Sequence, residues 1–171
     1  NLVIQASRLL REHADTPALG ARITIDKRIP MCGGLGGGSS DAATTLIALN
    51  KCWQLNLSQA ELQSIGLRLG ADVPLFVMGR SAWGEGIGEQ LKPVTLQPKW
   101  FLVVTPNCAV STAKIFDHEN LTRNSPAIRM SDFLAGSSRN DCEPVTCELY
   151  PEVARALAWL AQFGEARMTG T

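Results

Sequence analysis

The stretch Pro30-Met31-Cys32-Gly33-Gly34-Leu35-Gly36-Gly37-Gly38-Ser39-Ser40-Asp41-Ala42-Ala43 organises the rest of this chain. Five of the six residues from 33 to 38 are glycine, and two hydroxyls, a carboxylate and a helix-forming run follow at once. Glycine lets backbone N–H groups approach an anion closely, and a following helix directs its positive end to the same place. A flexible linker is the alternative, but an alternating segment precedes the glycines and an amphipathic segment follows them. We therefore favour a phosphate-binding loop.

Composition sets the broad class of protein. The chain has 171 residues, of which 45% are apolar and 19% charged, and its 16 basic residues balance 16 acidic ones. No overall field favours nucleic acid or an anionic membrane, so a phosphate ligand must be held locally. The sequence contains no apolar run of membrane-spanning length and no signal-peptide pattern at its start. We expect a cytoplasmic protein with a small-molecule substrate and neither a nucleic-acid nor a membrane partner.

The cysteines predict free thiols. There are five, an odd number, with no CxxC pair and only two histidines to act as nitrogen ligands. Free thiols in a reducing compartment are therefore favoured over disulfides or a zinc site.

Regular elements are predicted on both sides of the glycine stretch. Asn1 can cap a helix that runs to about His13, and residues 22–29 alternate like a half-buried strand. After the glycines, apolar residues recur at helical spacing with Ser39 or Ser40 near the helix start. These apolar residues are Ala42, Leu46, Leu49 and Trp53.

The next segments contain one acidic residue of interest. Ser58 and Glu61 have the form of a capping box that opens another helix. Asp72 can cap a short helix with Pro74 in its first turn, or residues 75–78 can form a strand. Residues 81–91 predict a strand with a bend or bulge, because their glycine-rich part at 84–89 does not suit a helix.

One Lys-Pro dipeptide, at residues 92–93, and one Gln-Pro dipeptide, at residues 97–98, suggest a domain boundary between them. We expect one domain over residues 1–92 and a second over residues 95–171. The second should open with a buried strand at residues 100–105, followed by short helices after Ser111 and around Phe133. A last helix should start at Pro151 and bury Val153, Leu157 and Leu160.

The glycine stretch is not a Walker A sequence, because no lysine follows the glycines. The longer form, PMCGGLGGGSSDAATTL, resembles the second motif of the GHMP kinases, the family of galactose, homoserine, mevalonate and phosphomevalonate kinases. Gly70-Ala71-Asp72-Val73-Pro74 is similar to another motif of that family. Cys32 departs from the family pattern, which has Gly or Ala there. Within the family, the members that act on a cytidine-diphosphate-linked methylerythritol in isoprenoid synthesis look most similar.

The resemblance implies a fold and an activity. The fold would be α+β of GHMP kinase type, with an N-terminal domain like ribosomal protein S5 domain 2 and a GHMP C-terminal α/β sandwich domain. The activity would be phosphorylation by ATP, with Mg²⁺, of the 2-hydroxyl of the cytidine-linked substrate. Another GHMP small-molecule kinase and a non-catalytic nucleotide-binding module are the alternatives.

The residue pattern alone supports two roles of Asp72 equally: a helix cap, or a base that deprotonates a substrate hydroxyl. The resemblance favours the catalytic and substrate-binding role. It also assigns Lys27 to the adenine side and Thr112 and Phe116 to the cytosine side. Ser39 or Ser40 would contact phosphate or metal, or Ser39 would only cap the helix, and the metal ligands stay unassigned. The predicted ATP-binding residues are Lys27, Pro30, Met31, Cys32, Gly33, Gly34, Leu35, Gly36, Gly37, Gly38, Ser39 and Ser40.

Two further segments are interpreted through the resemblance. The family's upstream lysine motif is missing from this sequence, and Thr169-Gly170 resembles the start of the third family motif, so both ends look cut. Residues 140–143 resemble a family Asn-Asp-Leu-Glu motif with Cys142 in place of leucine, and we expect a structural role there.

Overall fold

The structure, a computed structural model, describes residues 1–30, 33–134, 136 and 139–170. The chain divides into two compact units. The first unit contains Asn1–Met31 and Gly36–Lys99, and the second contains Cys32–Leu35 and Trp100–Thr171.

Four helices build the first unit: α1 (Leu2–His13), α2 (Gly37–Cys52), α3 (Gln59–Leu67) and α4 (Val73–Met78). The predicted start of α1 is confirmed, because the Asn1 side chain accepts a hydrogen bond from the Val3 N–H at 2.9 Å. The helices bury one apolar core between them, and removal of this surface from water stabilises the unit. The core consists of Ala6, Leu10, Ala42, Ala43, Leu46, Leu49, Leu62, Ile65, Val73 and Val77.

The two short helices α3 and α4 match their local signals. Ser58 and Glu61 form the predicted capping box. Residues 73–78 adopt the helical alternative rather than the strand, with Pro74 in the first turn, where its missing N–H costs nothing.

A hairpin follows the helices. Strands β1 (Ala82–Glu85) and β2 (Gln90–Pro93) pair antiparallel, and Lys92 bridges to Glu85 across them at 2.9 Å. The glycines that predicted a bend in one strand instead form the turn, because Gly86 and Gly88 have φ values of +71° and +108°.

The two other predicted strands were wrong. Residues 22–29 and 100–105 lie outside the hairpin, which is the only strand pair in the part of the chain that the structure describes. The run expected to be buried is exposed from Trp100 to Val104. Alternation and apolar content describe which side chains suit a strand, but a strand also needs a neighbouring backbone to bond.

The second unit contains short helices: α5 (Thr112–Phe116), α6 (Met130–Leu134), α7 (Glu143–Leu149) and α8 (Pro151–Leu160). Its core is formed by Ile115, Leu121 and Val145. The predicted start of α8 at Pro151 and burial of Val153 are confirmed, but Leu157 and Leu160 are only half-buried. The four described cysteines, Cys52, Cys108, Cys142 and Cys147, are free thiols. Across the described ranges, we find no helix with the length and apolar character of a membrane span.

Candidate nucleotide-binding site

The glycine stretch leads directly into α2. Gly36 has φ +64° at the N-cap position, and the first helical hydrogen bond runs from the Ser40 N–H to the Gly36 carbonyl at 2.8 Å. The N–H groups of Gly37, Gly38 and Ser39 donate to no acceptor among the described residues. A 16-residue helix therefore presents free amides and the positive end of its dipole, a combination that suits phosphate.

The serine hydroxyls lie in the first turn of this helix. Ser39 is the third helical residue and Gly36 occupies the cap, so the capping role considered for Ser39 was wrong. Neither the Ser39 nor the Ser40 hydroxyl has a hydrogen-bond partner within residues 1–30, 33–134, 136 and 139–170. Within that part of the chain, no group competes with a ligand for either hydroxyl.

Helix α4 packs against the loop through one aromatic ring. A Cβ atom placed on Gly36 would lie 2.6 Å from Cζ of Phe76, which is too close for any real side chain. The loop therefore requires glycine at position 36 for its positive φ and for the approach of the Phe76 ring.

A cation reaches the first turn of α2 from the segment before the glycines. Lys27 Nζ lies 2.5 Å from Asp41 Oδ2, and both side chains are about one-third exposed. The same Nζ is 3.5 Å from the position of a Cβ on Gly37. No lysine follows the glycines in the sequence, but the structure brings Lys27 to the helix start from 14 residues upstream of Asp41.

Asp72 occupies the N-cap position of α4 without capping it. Its side chain makes no cap hydrogen bond, is exposed, and has no ion-pair partner among the described residues. Phe76 follows one helical turn later, about 6 Å along the axis, and contacts Gly36. The helix that carries Asp72 is therefore the one that packs against the glycine loop, and the cap interpretation of Asp72 has no hydrogen bond to support it.

In the second unit, Gly34 contacts the turn at residues 168–170. Thr169 Oγ1 donates to the Gly34 carbonyl at 2.9 Å, and a Cβ on Gly34, whose φ is +65°, would overlap the Thr169 carbonyl. A Cβ on Gly170 would come within 2.5 Å of the Gly34 Cα. Two glycines are thus required where these two segments meet.

Side chains from the start of α7 hold that turn. Asn140 Nδ2 donates to the carbonyls of Met168 at 3.2 Å and Gly170 at 2.7 Å, and Glu143 accepts from the Met168 N–H at 2.8 Å. Sequence reasoning gave residues 140–143 only a structural role and omitted Asp41 and Thr169 from the site. The polar cluster at 140–143 and the likeness of Thr169-Gly170 to a family motif were the available signals, but contacts across 28 and 135 residues have no local pattern that would join them.

Thr112 and Phe116, predicted to bind substrate, lie at the two ends of α5. The Ser111 side chain caps this helix, Ile115 is fully buried, and Phe116 is 52% exposed. The ring of Phe116 is therefore free to stack on a ligand rather than committed to the core. The same unit has an open cavity of about 530 Å³, lined by Lys114, Asp117, His118, Glu119 and Leu149.

The structure describes only some of the remaining residues that were predicted to bind ATP. Met31 and Cys32 lie outside the described residues. Pro30 and Leu35 are exposed and Gly33 is half-buried. No group of three or more His, Cys, Asp or Glu side chains suited to a metal occurs among the described residues.

Comparison with known proteins gives matches to a family model, to curated relatives and to a solved structure. Residues 1–80 match the model of the GHMP kinases N terminal domain. The whole chain is 54% identical to the 4-diphosphocytidyl-2-C-methyl-D-erythritol kinases of Thiobacillus denitrificans and Pseudomonas aeruginosa, and covers 61% and 60% of them. A crystal structure of 4-(cytidine 5'-diphospho)-2C-methyl-D-erythritol kinase matches with a TM-score of 0.74 and 32% identity, over 95% of this chain and 62% of that one. This chain therefore spans about three-fifths of the length of these relatives.

Proposed function

We propose that residues 1–80 form a GHMP kinase N-terminal domain and that the protein containing this chain phosphorylates the 2-hydroxyl of 4-diphosphocytidyl-2-C-methyl-D-erythritol with ATP. The structural match also confirms the predicted α+β fold of GHMP kinase type. The proposal takes residues 1–92 as the ATP-binding domain and residues 95–171 as part of the C-terminal domain.

The observation that carries the proposal is the loop that ends in the free amides of α2. Phosphoryl transfer depends mainly on positioning and on neutralising charge, and free N–H groups at a helix start supply both. Lys27 adds a positive charge beside Gly37, held in place by Asp41. These features favour a polyphosphate ligand over an uncharged one.

Asp72 is the residue proposed to act on the acceptor hydroxyl. Its carboxylate is exposed, lacks a partner within the described part of the chain, and starts the helix whose Phe76 contacts Gly36. A carboxylate in hydrogen-bond reach of a hydroxyl can orient it and accept its proton as the phosphorus–oxygen bond forms. Asp72 would then keep that proton until solvent removes it.

Mg²⁺ would neutralise the charge on the phosphate oxygens when bound with ATP. The donor set fits this hard cation only in part, since the first turn of α2 offers the Ser39 and Ser40 hydroxyls and the paired carboxylate of Asp41. Mg²⁺ commonly takes only one or two protein ligands and completes its shell with phosphate and water. Ser39 and Ser40 are therefore the residues proposed to contact the metal.

The cytidine end of the substrate is proposed to meet α5. Phe116 exposes half of its ring, as a stacking residue must, while its neighbour Ile115 anchors the helix in the core. Thr112 lies one turn earlier on the same helix.

The test is substrate-dependent ADP release by the full-length protein. We expect ADP release with 4-diphosphocytidyl-2-C-methyl-D-erythritol and none with mevalonate or homoserine. Asp72→Asn should lower kcat by about 10²-fold or more while the ATP Kd changes little. Asp15→Asn is the matched control, because Asp15 is also exposed in the first unit and its φ of +48° suits asparagine.

Three results would count against the proposal. Turnover of mevalonate or homoserine instead would indicate another GHMP kinase. ATP binding without ADP release from any of these alcohols would indicate a nucleotide-binding module. A fully active Asp72→Asn protein would remove Asp72 from the mechanism.

A further inference from the structure

Asn140 commits both of its N–H donors and its amide oxygen to two short backbone segments. Its amide donates to the carbonyls of Met168 and Gly170, and its Oδ1 accepts from the Cys142 N–H at 3.0 Å. One half-buried side chain thus ties the start of α7 to the turn at residues 168–170. Side chains that bond backbone at both ends fix a turn more firmly than side chains that bond solvent.

Glu143 holds the same turn from a second point. Its Oε2 accepts from the Met168 N–H at 2.8 Å, and Glu143 is the first residue of α7. The turn is therefore held at three backbone groups. The Glu143 carboxylate accepts from the Met168 N–H, and the Asn140 amide donates to the carbonyls of Met168 and Gly170. This arrangement fixes the direction in which Thr169, between them, presents its hydroxyl.

Thr169 carries the restraint to the glycine stretch. Its Oγ1 donates to the Gly34 carbonyl at 2.9 Å, and the Gly170 and Gly34 backbones approach so closely that neither can carry a side chain. Gly34 precedes the cap of α2 by two residues, so the orientation of its peptide constrains the path of the chain into Gly36.

We propose that Asn140 and Glu143 are positioning residues for the phosphate-binding loop, which act through Thr169 on the Gly34 peptide. The proposal rests on the proposed function, since it assumes that the loop binds ATP. It assigns these residues an effect on nucleotide affinity beyond their contribution to the stability of the second unit.

The experiment compares ATP Kd and thermal unfolding in full-length variants. Asn140→Asp keeps the acceptor for Cys142 but replaces two donors with a carboxylate that faces two carbonyls, so ATP binding should weaken at least tenfold. Thr169→Val removes one hydroxyl at nearly constant volume and should weaken ATP binding about fivefold. Thr169→Ser keeps the hydroxyl and should bind ATP more tightly than Thr169→Val.

Coupling between the two sites tests the route of the effect. If Asn140 acts through Thr169, the Asn140→Asp/Thr169→Val protein should bind ATP no more weakly than the Asn140→Asp protein. Asn124→Asp is the control for an added negative charge, since the Asn124 side chain is exposed in the same unit and forms no hydrogen bond with the described residues. Its ATP Kd should equal that of the wild type.

Each outcome decides between the possibilities. Variants that unfold at lower temperature but bind ATP as tightly as the wild type would overturn the positioning role and leave the proposed function intact. Equal ATP Kd for the Val and Ser variants of Thr169 would also overturn it, even if Asn140→Asp fails to fold. A wild-type protein that binds no ATP would overturn the proposed function, and this inference with it.

Discussion

Gly36→Ala tests whether the loop geometry is as tight as the structure indicates. The backbone of the new alanine must adopt φ near +64°, which costs about 1 kcal/mol in an L residue. It must also displace the Phe76 ring, whose Cζ would be 2.6 Å away, and overpacking of this kind costs about 1–3 kcal/mol. Phe76 is half-buried on a six-residue helix and can yield somewhat. We therefore expect a loss of about 2–3 kcal/mol in the free energy of unfolding.

A double-mutant cycle separates the two costs. Phe76→Leu shortens the ring side chain that the methyl group would meet, and by itself should destabilise by about 1 kcal/mol. In the Gly36→Ala/Phe76→Leu protein the backbone cost remains while the steric cost is relieved. The double variant should then be more stable than the sum of the single changes by about 1–2 kcal/mol. Urea unfolding of the four proteins measures these values.

Gly38→Ala is the matched control. A Cβ at Gly38 meets only Leu2 Cδ1, at an ordinary 3.4 Å, and Gly38 lies inside α2. Alanine there should leave stability unchanged or raise it by up to about 1 kcal/mol. A Gly36→Ala protein as stable as the wild type would refute the left-handed conformation of the loop. An additive cycle would refute the contact between Phe76 and Gly36.

Two further predictions concern charge and thiol reactivity. Lys27→Met should weaken ATP binding about tenfold, because Lys27 Nζ lies beside the first turn of α2. Lys99→Met is the control, since Lys99 is exposed, and it should leave ATP binding unchanged. Equal ATP Kd values for the two variants by calorimetry would exclude Lys27 from the site. Burial raises the pKa of the Cys142 thiol, and the negative charge of Asp141 adds a smaller effect in the same direction. Burial likewise raises the pKa of the Cys147 thiol, with a smaller contribution from Glu143. A raised thiol pKa leaves less reactive thiolate at pH 7.5, so mass spectrometry should find iodoacetamide on the exposed Cys52 before it appears on Cys142 or Cys147. Faster labelling of Cys142 or Cys147 would contradict the burial.

Helices were predictable here because their signals are local. Asn1 caps α1 and the Ser58–Glu61 pair caps α3, each through atoms within three residues in sequence. Burial of Leu46 and Leu49 followed from spacing on one helix face. The start of α2 was less accurate, since Gly36 in a left-handed conformation caps the helix and brings Gly37 and Gly38 into it. A sequence pattern that treats glycine as a helix breaker misses this.

The predictions of strands and of contacts in the site failed for the same reason. The isoleucines of residues 22–29 alternate as strand side chains do, yet Ile23, Ile25 and Ile29 are each about 40% exposed. Whether such a segment becomes a strand depends on a second backbone, and alternation contains no information about one. The contacts of Lys27 with Asp41 and of Thr169 with Gly34 likewise join residues 14 and 135 positions apart, and no local pattern links them.

The glycine stretch shows how far local reasoning can reach. The residue types predicted an anion site because free amides at a helix start need only the loop and the helix, and both are continuous in sequence. Stiffness of the loop is different, since it depends on the Phe76 ring at Gly36 and on the Thr169 hydroxyl at Gly34. A loop with the same glycines and without these two contacts would still present amides, but it would lose conformational entropy on binding phosphate. Affinity should therefore depend on residues outside the motif, whereas the choice of an anionic ligand depends on the motif itself.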